Sequence, residues 1–113
     1  MTILPNIDAD FLLDFLKGLL NTPSPTGYTE HAVAFTIDAL RTIPDLQLER
    51  TPKGALLAKW QGDRDDRPRA LTAHADTLGA MVKDIKSDGR LKLTQIGGYA
   101  WPSVEGEGCT IFT

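Results

Sequence analysis

Ala70-Leu71-Thr72-Ala73-His74-Ala75-Asp76-Thr77-Leu78-Gly79 is a short apolar run that delivers a His-x-Asp pair at its end, with a glycine just beyond. A run of this kind bounded by turn signals reads as a strand buried on both faces. In open α/β sheets the loop at the carboxyl end of such a strand is where ligands bind. Histidine is the commonest protein metal ligand, and a nearby carboxylate can accept its second ring N–H. His74 and Asp76 are therefore candidates for one half of a metal site. By itself the pair also fits a half-exposed strand-end histidine bonded to backbone, so the surrounding sequence has to decide.

Upstream, Asp8 can cap a helix running to about Leu20, with Leu12, Phe15, Leu16, Leu19 and Leu20 on one apolar face. Asn21-Thr22-Pro23-Ser24-Pro25-Thr26-Gly27 stops it, because two prolines and a glycine cannot continue a helix. A second helix is predicted from about Tyr28 or Thr29 to Arg41, with Val33, Ile37 and Leu40 as its buried stripe and Ile43-Pro44 as its end. His31 lies in its first turns and reads as a solvated surface residue. The period then changes. Leu46 to Arg50 alternates like a strand with one wet face, Thr51-Pro52-Lys53-Gly54 is a tight turn, and Ala55 to Trp60 should pair back as a more buried strand. Gln61 to Arg69 is a loop of mixed charge that reads as solvation. Helix, helix, hairpin and buried strand open an α/β layer architecture.

Downstream the character is all β. Gly79–Lys86 and Arg90–Ile96 are expected strands joined by Ser87-Asp88-Gly89, a strong hairpin signal. Ile96 falls on the polar face of its strand, which predicts a bulge near Gln95. A loop rich in glycine and aromatics, Gly97 to Pro102, follows, and then a last apolar run from Cys109 to Thr113. Residues beyond Leu78 number too few to bury a core of their own. The expectation is the front part of a longer protein, or a subunit that needs a partner.

Composition excludes several classes. Lys and Arg total 12 against 15 Asp and Glu, for a net charge of −3, with no basic stripe to suggest a nucleic-acid partner. Apolar stretches are too short to cross a bilayer, and no basic segment precedes the first apolar residues as a signal peptide would require. The single cysteine, Cys109, permits no internal disulfide, fits a cytoplasmic setting and reads as a small buried hydrophobe.

In this order the pieces resemble the amino-terminal part of the tetrahedral aminopeptidase family, cytoplasmic dinuclear metallopeptidases that include glutamyl and deblocking aminopeptidases. Leu19 to Glu30 is similar to the family's first helix end and its turn into the second helix. Thr51 to Leu57 is similar to its Asp-x-x-Gly-Asn-Leu hairpin, and Ala73 to Gly79 to its Ala-His-Met-Asp-Glu-Ile-Gly motif. Val82 to Gly98 resembles the segment that opens its inserted domain. Thr77, Ala55 and Ala75 depart from the family's usual Glu, Asn and Met, which leaves subfamily and substrate open.

The resemblance implies an α/β/α catalytic domain interrupted by a small β-barrel that builds dimer contacts. Residues 1–78 would begin the catalytic domain and residues 79–113 the inserted barrel. It further implies two divalent ions, zinc or cobalt, and dimers assembled into a dodecamer. The activity implied is hydrolysis of the amino-terminal residue of peptides. His74 would be a metal ligand and Asp76 the carboxylate that holds its ring and supports catalysis. The other ligands and the general-base Glu would lie downstream of this chain. The alternative reading is a non-catalytic scaffold or assembly subunit of the same ancestry, separated from the enzyme by whether a Glu-Glu pair and a late His follow Thr113.

Overall fold

A computed structural model describes residues 6–64 and 66–113. Met1 to Pro5, the start of the segment that lacks signal-peptide character, and Asp65 of the charged loop lie outside the described residues.

Helix α1 spans Ala9–Leu20. Asp8 caps it as expected, its Oδ1 accepting the Phe11 N–H at 2.9 Å. At the far end the Asn21 side-chain amide donates to the Lys17 carbonyl at 2.8 Å, beside the Asn21 backbone N–H on the same oxygen at 3.0 Å. Helix α2 spans Glu30–Leu40, within the expected range. The two helices meet through Phe15 and Phe35, whose rings stack with centroids 5.5 Å apart. Gly18 makes this approach possible, since a Cβ there would collide with the Phe35 ring. The deepest side chain of α2 is Ala32, at 0% exposure; Val33, Ile37 and Leu40 of the expected stripe are only half-buried.

Strands β1 (Leu46–Arg50) and β2 (Leu56–Trp60) form an antiparallel hairpin with Leu48 opposite Ala58. Thr51 organises its turn: its carbonyl accepts the Gly54 N–H at 2.9 Å and its hydroxyl accepts the Ala55 N–H at 3.0 Å. Gly54 adopts φ +83°, a conformation that costs glycine nothing. Strands β3 (Gly79–Ile85) and β4 (Leu91–Ile96) form a second antiparallel pair, closed by Ser87-Asp88-Gly89 with Gly89 at φ +80°. A short 3-10 turn follows at Trp101–Ser103. The described residues thus form an α/β arrangement of two helices and two separate two-stranded sheets.

Four expectations require correction. The bulge lies in β3, where the register slips between Val82 and Asp84, and not near Gln95. Gln95 pairs in register with Ala80, and its amide turns to the Gly97 carbonyl at 2.9 Å and to the Tyr99 carbonyl. Residues 70–76 join neither sheet, and Leu71 is 99% exposed. Burial on both faces takes elements packed against each side of a sheet; among the described residues the two hairpins are separate sheets, and neither takes up residues 70–76. For the same reason β2 is exposed over Leu57–Trp60, where a more buried strand was expected. Cys109 is exposed too, and the run from Cys109 to Thr113 joins no sheet.

Apolar cover is correspondingly thin. The radius of gyration is 19.0 Å, against about 13 Å for a compact domain of this length. Among the described residues no large side chain is fully buried.

Candidate metal centre

The turn between the helices builds one wall of the site. Pro23 and Pro25 forbid helix, and the chain runs extended enough for Pro25 to form a parallel bridge with Thr77. The Thr77 N–H donates to the Ser24 carbonyl at 2.7 Å, and the Thr26 N–H donates to the Thr77 carbonyl at 3.4 Å. Ser24 is only 2% exposed, and its contribution is this backbone carbonyl; its hydroxyl has no partner among the described residues. Gly79 lets the two segments close: a Cβ there would lie 2.8 Å from the Pro25 Cβ, nearer than packed carbons approach.

The opposite side is fixed from β4 and the loop after it. The Tyr99 hydroxyl donates to the Gly79 carbonyl at 2.9 Å. Gly97, at φ +88°, lies against Leu78, and a side chain there would collide with it. The segment carrying Asp76 through Gly79 is thus held between the interhelical turn and the Gly97–Tyr99 loop.

On this support His74 and Asp76 meet. His74 Nδ1 lies 3.0 Å from Asp76 Oδ1. The other carboxylate oxygen, Oδ2, accepts the Thr26 hydroxyl at 2.6 Å. The Asp76 carboxyl is held below its ordinary range, first by the Thr26 hydrogen bond and then by the one from His74. An ionised carboxylate only accepts, so the proton of a neutral His74 belongs on Nδ1. That places the imidazole lone pair on Nε2, which has no partner among the described residues, on a side chain 85% exposed. A neutral imidazole with one nitrogen tied to a carboxylate and the other bare is the form in which histidine binds a metal.

The donor set therefore fits one ligand and its orienting partner. It does not amount to a whole site, since catalytic zinc takes about three protein ligands and no group of three or more His, Cys, Asp or Glu gathers among the described residues. His31 stays outside, its Nε2 3.4 Å from the Tyr28 hydroxyl. Nothing in the sequence singles out Thr26 within its turn, because its partner Asp76 lies 50 residues away.

The depressed Asp76 carboxyl sets a pH dependence. Its proton is bound less readily folded than unfolded, so the stabilisation from its hydrogen bonds is complete above the unfolded value of about 3.9. It is lost as pH falls through the lower folded value. A carboxyl-detected NMR titration should place the Asp76 midpoint below that of an ordinary aspartate; a midpoint at or above the ordinary value would contradict the geometry.

Residues 54–113, which include His74 and Asp76, match the family model described as M42 glutamyl aminopeptidase. The chain is 46% identical over 101 residues to a Bacillus subtilis (strain 168) protein named "Putative aminopeptidase YhfE", a match covering 89% of this chain and 29% of the relative. It is 29% identical over 103 residues to the glutamyl aminopeptidase of Lactococcus lactis subsp. cremoris (strain MG1363), covering 90% of this chain and 29% of that protein. It is 28% identical over 87 residues to the lysyl aminopeptidase of Pyrococcus furiosus, covering 75% and 24%. The chain belongs to the M42 glutamyl aminopeptidase family. It spans between 24% and 29% of the length of these relatives.

Proposed function

We propose that this chain is the amino-terminal part of a metal-dependent aminopeptidase that removes the first residue of peptides. The observation that carries the reading is the His74 imidazole, tied through Nδ1 to Asp76 and bare at Nε2, within the segment that matches the peptidase family. His74 is a ligand to one of two divalent ions, zinc or cobalt. Asp76 keeps the ring in the tautomer that presents Nε2. Bound divalent ions supply Lewis-acid polarisation of the scissile carbonyl and a water acidic enough to attack it. The remaining ligands and the general base come from residues outside this chain.

The domain division follows the change of character at Gly79. Residues 1–78 begin the α/β catalytic domain, and residues 79–113 begin an inserted β-barrel through which subunits pair toward a dodecamer. No described helix is long and apolar enough to cross a membrane, and we assign the protein to the cytoplasm, with peptides as its substrates.

The test is metal removal from the complete protein. Dialysis against a chelator should abolish hydrolysis of a panel of aminoacyl chromogenic substrates, and zinc or cobalt should restore it. Undiminished turnover after chelation would overturn the metal reading. No turnover by the metal-loaded protein on any substrate would favour a scaffold of the same ancestry.

A further inference from the structure

We propose that Thr26 is a positioning residue of the metal centre: its hydroxyl, delivered across the interhelical turn, fixes the Asp76 carboxylate in the rotation that holds His74 ready for metal. The inference rests on the metallo-aminopeptidase reading above and adds a residue to it.

Three observations carry it. First, the carboxylate is bound at both ends. Oδ1 faces His74 Nδ1 at 3.0 Å while Oδ2 accepts the Thr26 hydroxyl at 2.6 Å. A carboxylate bonded only to a histidine can turn about its terminal torsion, which is broad and nearly twofold. A second bond to the other oxygen removes that freedom. The short distance is that of a charge-assisted O–H···O⁻ bond, among the stronger hydrogen bonds in proteins.

Second, Thr26 is itself held in place by backbone. The Pro25–Thr77 bridge, the Thr77 N–H on the Ser24 carbonyl and the Thr26 N–H on the Thr77 carbonyl set the turn against the segment that carries Asp76. The hydroxyl is thus presented by a fixed element, and Gly79 allows the approach by leaving room for Pro25.

Third, the bond has no competing structural purpose. Thr26 is exposed and fills no core. The turn is closed without its side chain, through the Tyr28 N–H on the Pro25 carbonyl at 2.7 Å and Gly27 at φ +92°. Removing the hydroxyl should therefore leave the turn standing and release only the carboxylate. Partners that orient a metal-binding histidine typically matter 10–100-fold to affinity. A group one step further out belongs at the lower end of that range.

The experiment measures zinc affinity of the complete protein by competition with a chromogenic chelator. Thr26→Val and Thr26→Ala should each weaken zinc binding about 10-fold, while Thr26→Ser, which keeps the hydroxyl, should stay within about twofold of the parent. On an Asp76→Ala background Thr26→Val should cause no further loss, because the group it acts through is gone. Parent affinity in Thr26→Val would overturn the proposal. So would an equal loss from Thr26→Val on both backgrounds, or a loss in Thr26→Ser as large as in Thr26→Val. His74→Ala separates the two levels of inference. If it loses a metal equivalent and Thr26→Val loses nothing, only the role of Thr26 falls. If His74→Ala binds zinc like the parent, the metal reading falls and the Thr26 proposal with it.

Discussion

His74→Ala in the complete protein should remove one metal equivalent and most of the aminopeptidase activity, with the fold unchanged. The side chain is 85% exposed, and among the described residues its hydrogen bond is to Asp76, two residues on. Surface substitutions of this kind move stability by about ±0.5 kcal/mol. The chemistry is far more sensitive. Deleting the ligand should cost at least the roughly 10–100-fold in affinity that losing only its orienting partner costs. A two-metal hydrolase missing one ion also loses one side of the clamp on attacking and leaving groups. Metal content by atomic emission and turnover on aminoacyl substrates give the two readouts. A variant that keeps both metals and full activity would make His74 an ordinary surface histidine.

The isolated 113-residue polypeptide should hydrolyse no aminoacyl substrate, bind zinc only weakly and self-associate. Weak binding follows from ligand count, since one histidine and its partner are well short of about three ligands and no larger cluster forms among the described residues. Association follows from uncovered surface. Phe11, Leu12, Leu13 and Leu16 of α1 are exposed, as are Met81 and Ile85 of β3. Among the described residues the two sheets have two strands each, so each strand has an unpaired edge. Exposed apolar patches and open edges together favour contact between chains. Sizing by light scattering and the substrate panel with zinc or cobalt test both halves. Robust turnover from a clean monomer would place a complete site within these residues.

The elements legible in the sequence are those made by near neighbours. Asp8 caps α1 because the group it caps is three residues away. Both hairpin turns are written in single glycines, Gly54 and Gly89, at positive φ. The His74–Asp76 pair is readable for the same reason, its members being two residues apart. What was not legible depends on distant chain. Residues 70–76 and 109–113 have strand-like apolarity, but strand character is conferred by partners that neither hairpin supplies. The slip at Lys83 depends on how β3 and β4 align across the sheet, which the alternation of β4 alone does not specify. Thr26 is one hydroxyl among several in a Pro- and Gly-rich turn, and only the folded chain brings it to Asp76.

That long-range contact also sets an order of events. Helices and hairpins form within microseconds because their contacts are local. The tie between the interhelical turn and the Asp76 segment must instead close a loop of 50 residues, whose entropy is lost before any reward returns. A nascent chain can thus display both helices and both hairpins while the Asp76 segment still moves free of the interhelical turn. On the metal-dependent reading proposed above, the tightest grip on an ion would come only after that loop has closed.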